Sequence, residues 1–372
     1  MEKIKTAVIG CGKVGHFHAK AFQSIPNSDL VACYGRTKEK TDAFAAQYGI
    51  KGYTDLETMV KETGVQAVAI CTPHPNHAAI AVECCRLGLH IAVEKPLAAS
   101  LEDCDAILAA AKENNVVGAT ICQRRFYRPA MRVKKAIEDG KIGKPILGTV
   151  NMLGWRDMAY YRSDPWRGTW KGEGGGVLIN QAPHQLDLLL WYMGEIDELY
   201  GMWDTLNHPE LEVDDTAAAI IRFKSGAIGN IVVSNSQNPA LFGNVRVHGS
   251  NGASVGVQTD GGAMFIAGMS GITEPPVNDL WTVPGEEDKL PEYKKSDSDF
   301  FNGVDMVHYH TEQLQDFVDA IQTGREPLIT LEDGRRTVEL ITAIYRSNRD
   351  KKPIKFPLRP ENGDDFDGRI LK

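Results

Sequence analysis

Two short stretches hold residues whose types suit chemistry. In "AVEKPLA", residues 92–98, Glu94 and Lys95 end an apolar run and Pro96 follows at once. Lys and Glu are among the residues least often buried, and proline has no N–H for a central strand's ladder. Charges in that place imply a strand delivering a side chain to a site. In "AVIGCGKVGHFHA", Gly10, Gly12 and Gly15 form GxGxxG where a strand gives way to a helix at Lys13 and Val14. This is the pattern of a dinucleotide-binding turn: Gly10 for the turn, Gly12 for approach of a pyrophosphate, Gly15 for close packing of helix on strand. The helix N-terminus then offers free N–H groups to phosphate.

A carboxylate for the ribose 2′-OH is expected about 20 residues on. The second strand ends instead in Tyr34-Gly35-Arg36-Thr37. Gly35 leaves room, and Arg36 with Thr37 suits a 2′-phosphate, which leans toward NADP. The other reading is an Arg36 that stacks on adenine or points to solvent.

These turns need a sheet to hold them. Apolar runs near 4–9, 29–34, 67–72, 90–93 and 116–121 alternate with helical spacing such as Phe17-Ala21-Ile25 and Ile80-Cys84-Leu87. That predicts βαβ units and a parallel sheet covered on both faces. Ser100, with Asp103 three residues on, reads as the N-cap of a helix over 101–114. The middle of the chain differs. "DTAAAIIRFKSGAIGNIVVS" and "NVRVHGSNGASVGV" read as hairpins. With strands near 146–153 and 197–204 they predict a mostly antiparallel sheet, with a helix over 180–193 on one face. Residues 268–306 read as loops, and helices return over 310–323 and 331–348.

The 372 residues suffice for two domains. All seven cysteines lie within the first 122 residues and all six tryptophans after them, which predicts domains over 1–122 and 123–372. No cysteine pair has CxxC spacing and the count is odd, so free thiols in a reducing cytoplasm are expected. The net charge of −8 disfavours nonspecific binding to nucleic acid or anionic membrane. No apolar run reaches the ~18 residues of a membrane span. His308 and His310 resemble a metal pair without a convincing carboxylate set around them, so no metal is expected.

The motifs then converge. "CTPHPNHAAIAVECCRLGLHIAVEKPLA", "QRRFYRPAMRVKKAIEDGKIGKPI", "DPWRGTWKGEGGGVLINQAPHQLDLLLWYMG" and "HTEQLQDFVDAIQTGREPLITLEDGRRTVELITAIYRS" occur in one order over nearly the whole chain. The sequence resembles the glucose-fructose oxidoreductase / inositol dehydrogenase (Gfo/Idh/MocA) family. The resemblance implies an α/β chain: a Rossmann domain, then an α/β domain on a large open, mostly antiparallel sheet. It implies NAD(P)-dependent hydride transfer at a secondary alcohol of a sugar, polyol or inositol. It adds Thr72, Pro73, Asn76, His77, Glu94, Lys95 and Gln123 to Gly10, Gly12, Lys13, Val14, Gly15, Gly35, Arg36 and Thr37 as cofactor-site residues.

The family's active-site pattern is the Lys of Glu-Lys-Pro, then Asp and His four apart on a helix. Here these are Lys95, Asn180 and His184, so Asn stands at the Asp position. Alcohol oxidation needs a base for the hydroxyl proton as hydride leaves, and a histidine suits that. A neighbouring cation favours its neutral form, while Lys95 would polarise the oxygen. Asn180 can orient a hydroxyl but cannot take its proton. Asp187 either orients His184 or serves the helix. Arg156, Tyr160, Tyr161, Trp166 and Arg167 are candidate walls for a multi-hydroxyl ring. Two other readings stand: a non-catalytic nucleotide- or sugar-binding regulator, and an enzyme that uses a retained nicotinamide transiently. An open sheet face invites a homo-oligomer, dimer or tetramer.

Overall fold

The computed structural model describes residues 2–241, 243–259, 275–305 and 307–361. The chain divides into two compact units, 1–123 with 306–335 and 124–305 with 336–372.

The first unit holds six strands: β1 (Ile4–Ile9), β2 (Ser28–Tyr34), β3 (Lys51–Tyr53), β4 (Ala67–Ile70), β5 (His90–Glu94) and β6 (Gly118–Ile121). Their order is β3-β2-β1-β4-β5-β6 and every pairing is parallel. β4 is buried along its whole length, as a parallel strand covered on both faces must be. The strand order reverses between β1 and β4. Ligands of open α/β sheets bind at such a switch point, outside the carboxyl ends of the strands. Between β5 and β6 runs the helix Leu101–Glu113, capped by Ser100, whose side chain accepts from Asp103 N–H at 3.1 Å.

Residues 307–335, which the cysteine and tryptophan distribution assigned to the second domain, fall in the first unit. Helix His308–Thr323 contributes Leu314, Phe317 and Val318 to one core with Ala21, Phe22 and Ile25. Gln313 ties this helix to β6: Oε1 accepts Cys122 N–H at 3.0 Å and Nε2 donates to Thr120 C=O at 2.8 Å. An amphipathic pattern shows that a helix needs a partner, not which core supplies it.

The second unit holds β7 (Pro145–Leu153), β8 (Ile196–Asp204), β9 (Thr216–Phe223), β10 (Ile228–Ser234), β11 (Asn244–Gly249), β12 (Ser254–Gln258), β13 (Val277–Trp281) and β14 (Ile354–Lys355). The order is β13-β12-β11-β7-β10-β9-β8-β14. Among the described residues all pairings are antiparallel except β7 with β10. The strands alternate buried and exposed, so one face is covered and one is not. On the covered face lies helix Pro183–Met193, so close to β7 that a Cβ on Gly148 would come within 2.9 Å of Leu189 and Met193. No helix among the described residues is long and apolar enough to cross a membrane.

Two expectations change here. The helix read over 180–193 is two helices, Val177–Asn180 and Pro183–Met193. Pro183 has no N–H to continue the first, and sits where proline is tolerated, in the first turn of the second. Asn180 and His184 are therefore not successive turns of one helix face. Within 268–306, residues 268–274 and 306 lie outside the described residues, and the rest is not loop throughout: it includes β13 and helix Leu290–Gly303. That helix has almost no apolar face to announce it. Arg132 anchors it instead, pairing with Asp297 at 2.8 Å and stacking 4.2 Å from the centre of the Tyr293 ring.

Candidate active site

In the first unit the glycines behave as dinucleotide-turn glycines. Gly10 has φ +108°, and a Cβ there would stand 2.9 Å from the Cys71 backbone. A Cβ on Gly15 would lie 2.1 Å from Gly10 O, so only glycine lets this helix approach β1. A Cβ on Gly12 would meet no protein atom within 4 Å; the fold does not demand glycine there, and a phosphate approaching the backbone does. Lys13 and Val14 open helix Lys13–Ser24. At the ends of β4 and β6, Thr72 Oγ1 and Gln123 Oε1 are buried without a hydrogen-bond partner among the described residues. Buried polar groups are ordinarily paired, so these two atoms fit a polar ligand at the carboxyl edge of the sheet. A nicotinamide dinucleotide would be held there by the glycine turn, with Thr72 and Gln123 among its contacts.

Gly35 has a different reason from the one expected. A Cβ on it would sit 2.4 Å from Thr41 Oγ1 and 3.2 Å from Cys11 Sγ, so packing excludes a side chain. Its smallness is no sign of room for a 2′-phosphate. Arg36 and Thr37 follow it and are exposed.

The Lys95–Pro96 peptide is cis. Pro73 and Asn76 flank a short 3-10 turn, His74–Asn76, that leads into helix His77–Arg86. His77 is fully buried, with Nε2 2.7 Å from Thr72 O and Nδ1 2.9 Å from Pro96 O. A neutral ring donates to one of these carbonyls in each tautomer, and burial lowers its pKa. Both nitrogens face backbone, so His77 braces the turns carrying Thr72 and Lys95 rather than offering a nitrogen to cofactor. Glu94 also turns inward. It accepts from His18 Nε2 at 2.7 Å and from Lys95 N–H at 3.1 Å. Burial pushes its carboxyl up, but the His18 bond, the charges of His18 and His310, and Lys95 outweigh that and hold it at about 2.

His18, Glu94 and His310 form the histidine–carboxylate set that sequence spacing did not reveal; their ligand atoms lie within 4.8 Å of one another. His310 Nε2 is 3.9 Å from Glu94 Oε1. Two ligands of one tetrahedral zinc stand about 3.3 Å apart, given bonds of about 2 Å. The 2.7 Å His18–Glu94 contact is a direct hydrogen bond.

In the second unit the segment before His184 folds around one phenol oxygen. Tyr160 OH accepts from Asn180 Nδ2 at 3.2 Å, from Gln181 Nε2 at 3.1 Å and from Arg167 Nη1. Asn180 Nδ2 also donates to Glu173 Oε1. Asn235 ties Gln181 Oε1 and Tyr161 OH at 2.9 and 3.2 Å. Arg156, Tyr160 and Tyr161 are buried and tied into this network. Trp166 and Arg167 are half-buried, and the guanidinium lies 4.3 Å from the centres of both the Trp166 and Tyr160 rings. His184 is buried in the first turn of Pro183–Met193. Asp187 is engaged by Arg125, which grips both its oxygens at 2.6 and 2.8 Å.

The three glycines have a local cause. A Cβ on Gly176 would come 1.8 Å from Asp214 O. Asp214 then caps the helix of Asn180, accepting Gly176 N–H and Leu178 N–H at 2.8 Å each and Tyr345 OH at 2.8 Å. Sequence reasoning missed Glu173, Asp214 and His18, and paired His310 with His308 instead of with Glu94 and His18. "GEGGG" was the signal for Glu173; Asp214 and His18 lie far in sequence from the groups they serve.

Residues 4–121 match the oxidoreductase family with NAD-binding Rossmann fold, and residues 130–255 match the GFO/IDH/MocA C-terminal domain. Myo-inositol 2-dehydrogenase of Thermotoga maritima is 27% identical over 363 residues, 95% of this chain and 98% of that protein. The NAD(+)-dependent scyllo-inositol 2-dehydrogenase of Bacillus subtilis is 26% identical, over 96% of this chain and 97% of the other. Among solved structures, the WlbA dehydrogenase from Bordetella pertussis, in complex with NADH and UDP-GlcNAcA, superposes with a TM-score of 0.84 at 29% identity, covering 96% of this chain and 99% of that one. With both family domains matched in order and the dinucleotide turn built as described, the chain belongs to the GFO/IDH/MocA family of NAD-binding oxidoreductases.

Proposed function

We propose that this oxidoreductase moves hydride between a nicotinamide and a secondary hydroxyl of a sugar, inositol or glycoside, with Lys95 polarising the hydroxyl oxygen and His184 taking its proton. The observation that carries the reading is Lys95 at the carboxyl end of β5, in the sheet whose switch point bears the Gly10–Gly15 turn. The nicotinamide supplies the hydride acceptor; the protein's residues orient the alcohol, hold charge on its oxygen and move its proton. Full-length similarity to inositol dehydrogenases and to a dehydrogenase solved in complex with UDP-GlcNAcA supports a multi-hydroxyl ring. Trp166, stacked under Arg167, offers a flat face for one.

For the cofactor we favour NADP, on the exposed Arg36 and the absence of a carboxylate at the end of β2. We place the protein in the cytoplasm, on its seven free cysteines, and as a homo-oligomer joined through the uncovered face of the second sheet.

The test is a panel of myo-inositol, scyllo-inositol, D-glucose and UDP-N-acetylglucosaminuronic acid, each with NAD and NADP, followed by nicotinamide absorbance. Reduced cofactor from at least one member is expected, with higher kcat/KM for NADP. Lys95→Ala should keep cofactor binding and lose about 10³-fold or more in kcat. No reduced cofactor with any member would favour the regulator or the transient-nicotinamide reading. An active Lys95→Ala variant would sink the assigned mechanism.

A further inference from the structure

The ladder of β5 ends at Glu94: Val93 pairs with Ile70 and Glu94 with Ile121, and Lys95 is the first residue beyond. A backbone that leaves its sheet loses the bonds that fixed it, and its polar groups need other partners. Lys95 N–H finds Glu94 Oε2 at 3.1 Å. The other oxygen, Oε1, accepts from His18 Nε2 at 2.7 Å. A carboxylate only accepts, so the hydrogen of that bond sits on Nε2. Bonds to an ionised oxygen are about twice as strong as neutral ones. On the far side of Lys95, Pro96 O stands 2.9 Å from His77 Nδ1. Lys95 is thus flanked by two points, each held by a buried histidine from a different helix.

His18 is completely buried, in helix Lys13–Ser24, whose first turn follows Gly12. This is the helix whose N-terminus the glycine turn presents to a dinucleotide. Glu94 therefore joins the peptide of Lys95 to the element that would grip the pyrophosphate. Burial opposes the charge of Glu94, although its partners hold the carboxyl at about 2. A buried carboxylate carries a desolvation cost that even good partners only offset. An apolar side chain would close this strand end without it, so stability alone does not account for a carboxylate here. We propose that Glu94 and His18 are positioning residues: the Glu94 carboxylate, anchored by His18, fixes the peptide of Lys95 so that its amine meets the reacting hydroxyl beside the bound nicotinamide. This rests on the reading of Lys95 as the group that polarises the hydroxyl oxygen.

The test uses the full-length enzyme with saturating cofactor and the panel member it oxidises fastest. Glu94→Asp keeps the charge but draws the carboxylate back by one methylene, out of reach of both donors at once. It should lower kcat about tenfold while KM and the cofactor Kd stay within about twofold. His18→Leu removes the anchoring N–H and should lower kcat by about the same factor. His18→Gln restores an N–H near the place of Nε2 and should recover to within about threefold of wild type. The deciding comparison is a double-mutant cycle. With Lys95→Ala in place, Glu94→Asp and His18→Leu should each change the residual kcat by less than about twofold, because a residue that acts through Lys95 has nothing left to position. A purely structural role would give the same loss per folded molecule in both backgrounds, and that result overturns the inference. Wild-type kcat in both Glu94→Asp and His18→Leu overturns it too. Where neither variant folds, hydrogen exchange of the wild-type Lys95 amide decides: protection of about tenfold or more is expected, and exchange at the rate of an unbonded amide overturns the inference. A wild-type enzyme inactive on every panel member, or an active Lys95→Ala variant, overturns the proposed function beneath it; a loss that ignores Lys95 overturns only the roles of Glu94 and His18.

Discussion

His310 shows how a single buried ring ties stability to pH. Burial, helped by the charge of His18 and opposed by Glu94, lowers it to about 4, against an ordinary value near 6.5. The folded protein thus holds it neutral where an unfolded chain would charge it. Its contribution is fully present above pH 6.5 and is lost as pH falls from there toward 4. In urea unfolding at pH 7.5, 6 and 5, the midpoint should drop on the acid side, and His310→Phe should flatten that drop; parallel curves for the two proteins would count against the assignment. Legibility at this scale followed locality. Gly15 was readable because the group that excludes a side chain there, Gly10 O, belongs to the same short motif. Glu173 was not, because its hydrogen bond to Asn180 depends on how a loop folds back. Gly35 misled because a glycine excluded by Thr41 looks, in sequence, like a glycine making room for a ligand.

Among the elements, the two short helices 177–180 and 183–193 matter most. Sequence periodicity joined them, because apolar residues run on through the break and only Pro183 interrupts the pattern. The break is fixed from outside, by Asp214 capping the first helix across a contact that only glycine at 176 permits. Gly176→Ala should therefore destabilise the protein by about 3 kcal/mol or more, since the new methyl meets backbone that cannot yield. It should also lower turnover beyond the loss of folded protein, because Asn180 rides on the displaced helix. A urea-unfolding curve and a specific activity corrected for folded fraction would measure both. An unchanged midpoint would mean that the loop of Asp214 moves more easily than its hydrogen bonds imply.

Across the whole molecule, the uncovered face of the second sheet presents Ile220, Met202 and Ile228 at 65%, 56% and 50% exposure. Ile220 pairs with Asn230 on one side and Tyr200 on the other, so the apolar residues lie on adjoining strands and are not scattered. Ile220→Asp should shift the protein toward a lighter species in sedimentation velocity; equal masses for variant and wild type would place the contact elsewhere. The two-part organisation was legible from the cysteine and tryptophan distribution and from the change of strand pattern near 122. The return of 307–335 to the first unit was not, because composition reports neighbours in sequence and a core is assembled from neighbours in space.

That return has a consequence for how the protein is made. The core of the dinucleotide unit holds Phe317 and Val318 beside Phe22 and Ile25. A ribosome that has released residue 123 has therefore released a sheet without one of its covering helices. The nascent chain must carry that exposed apolar surface while the whole intervening sheet is synthesised, and can seal it only when residues up to about 335 have emerged. The same arrangement restricts inheritance: a genetic exchange that moves this nucleotide-binding unit into another protein must cut the gene at both ends and carry two separate pieces.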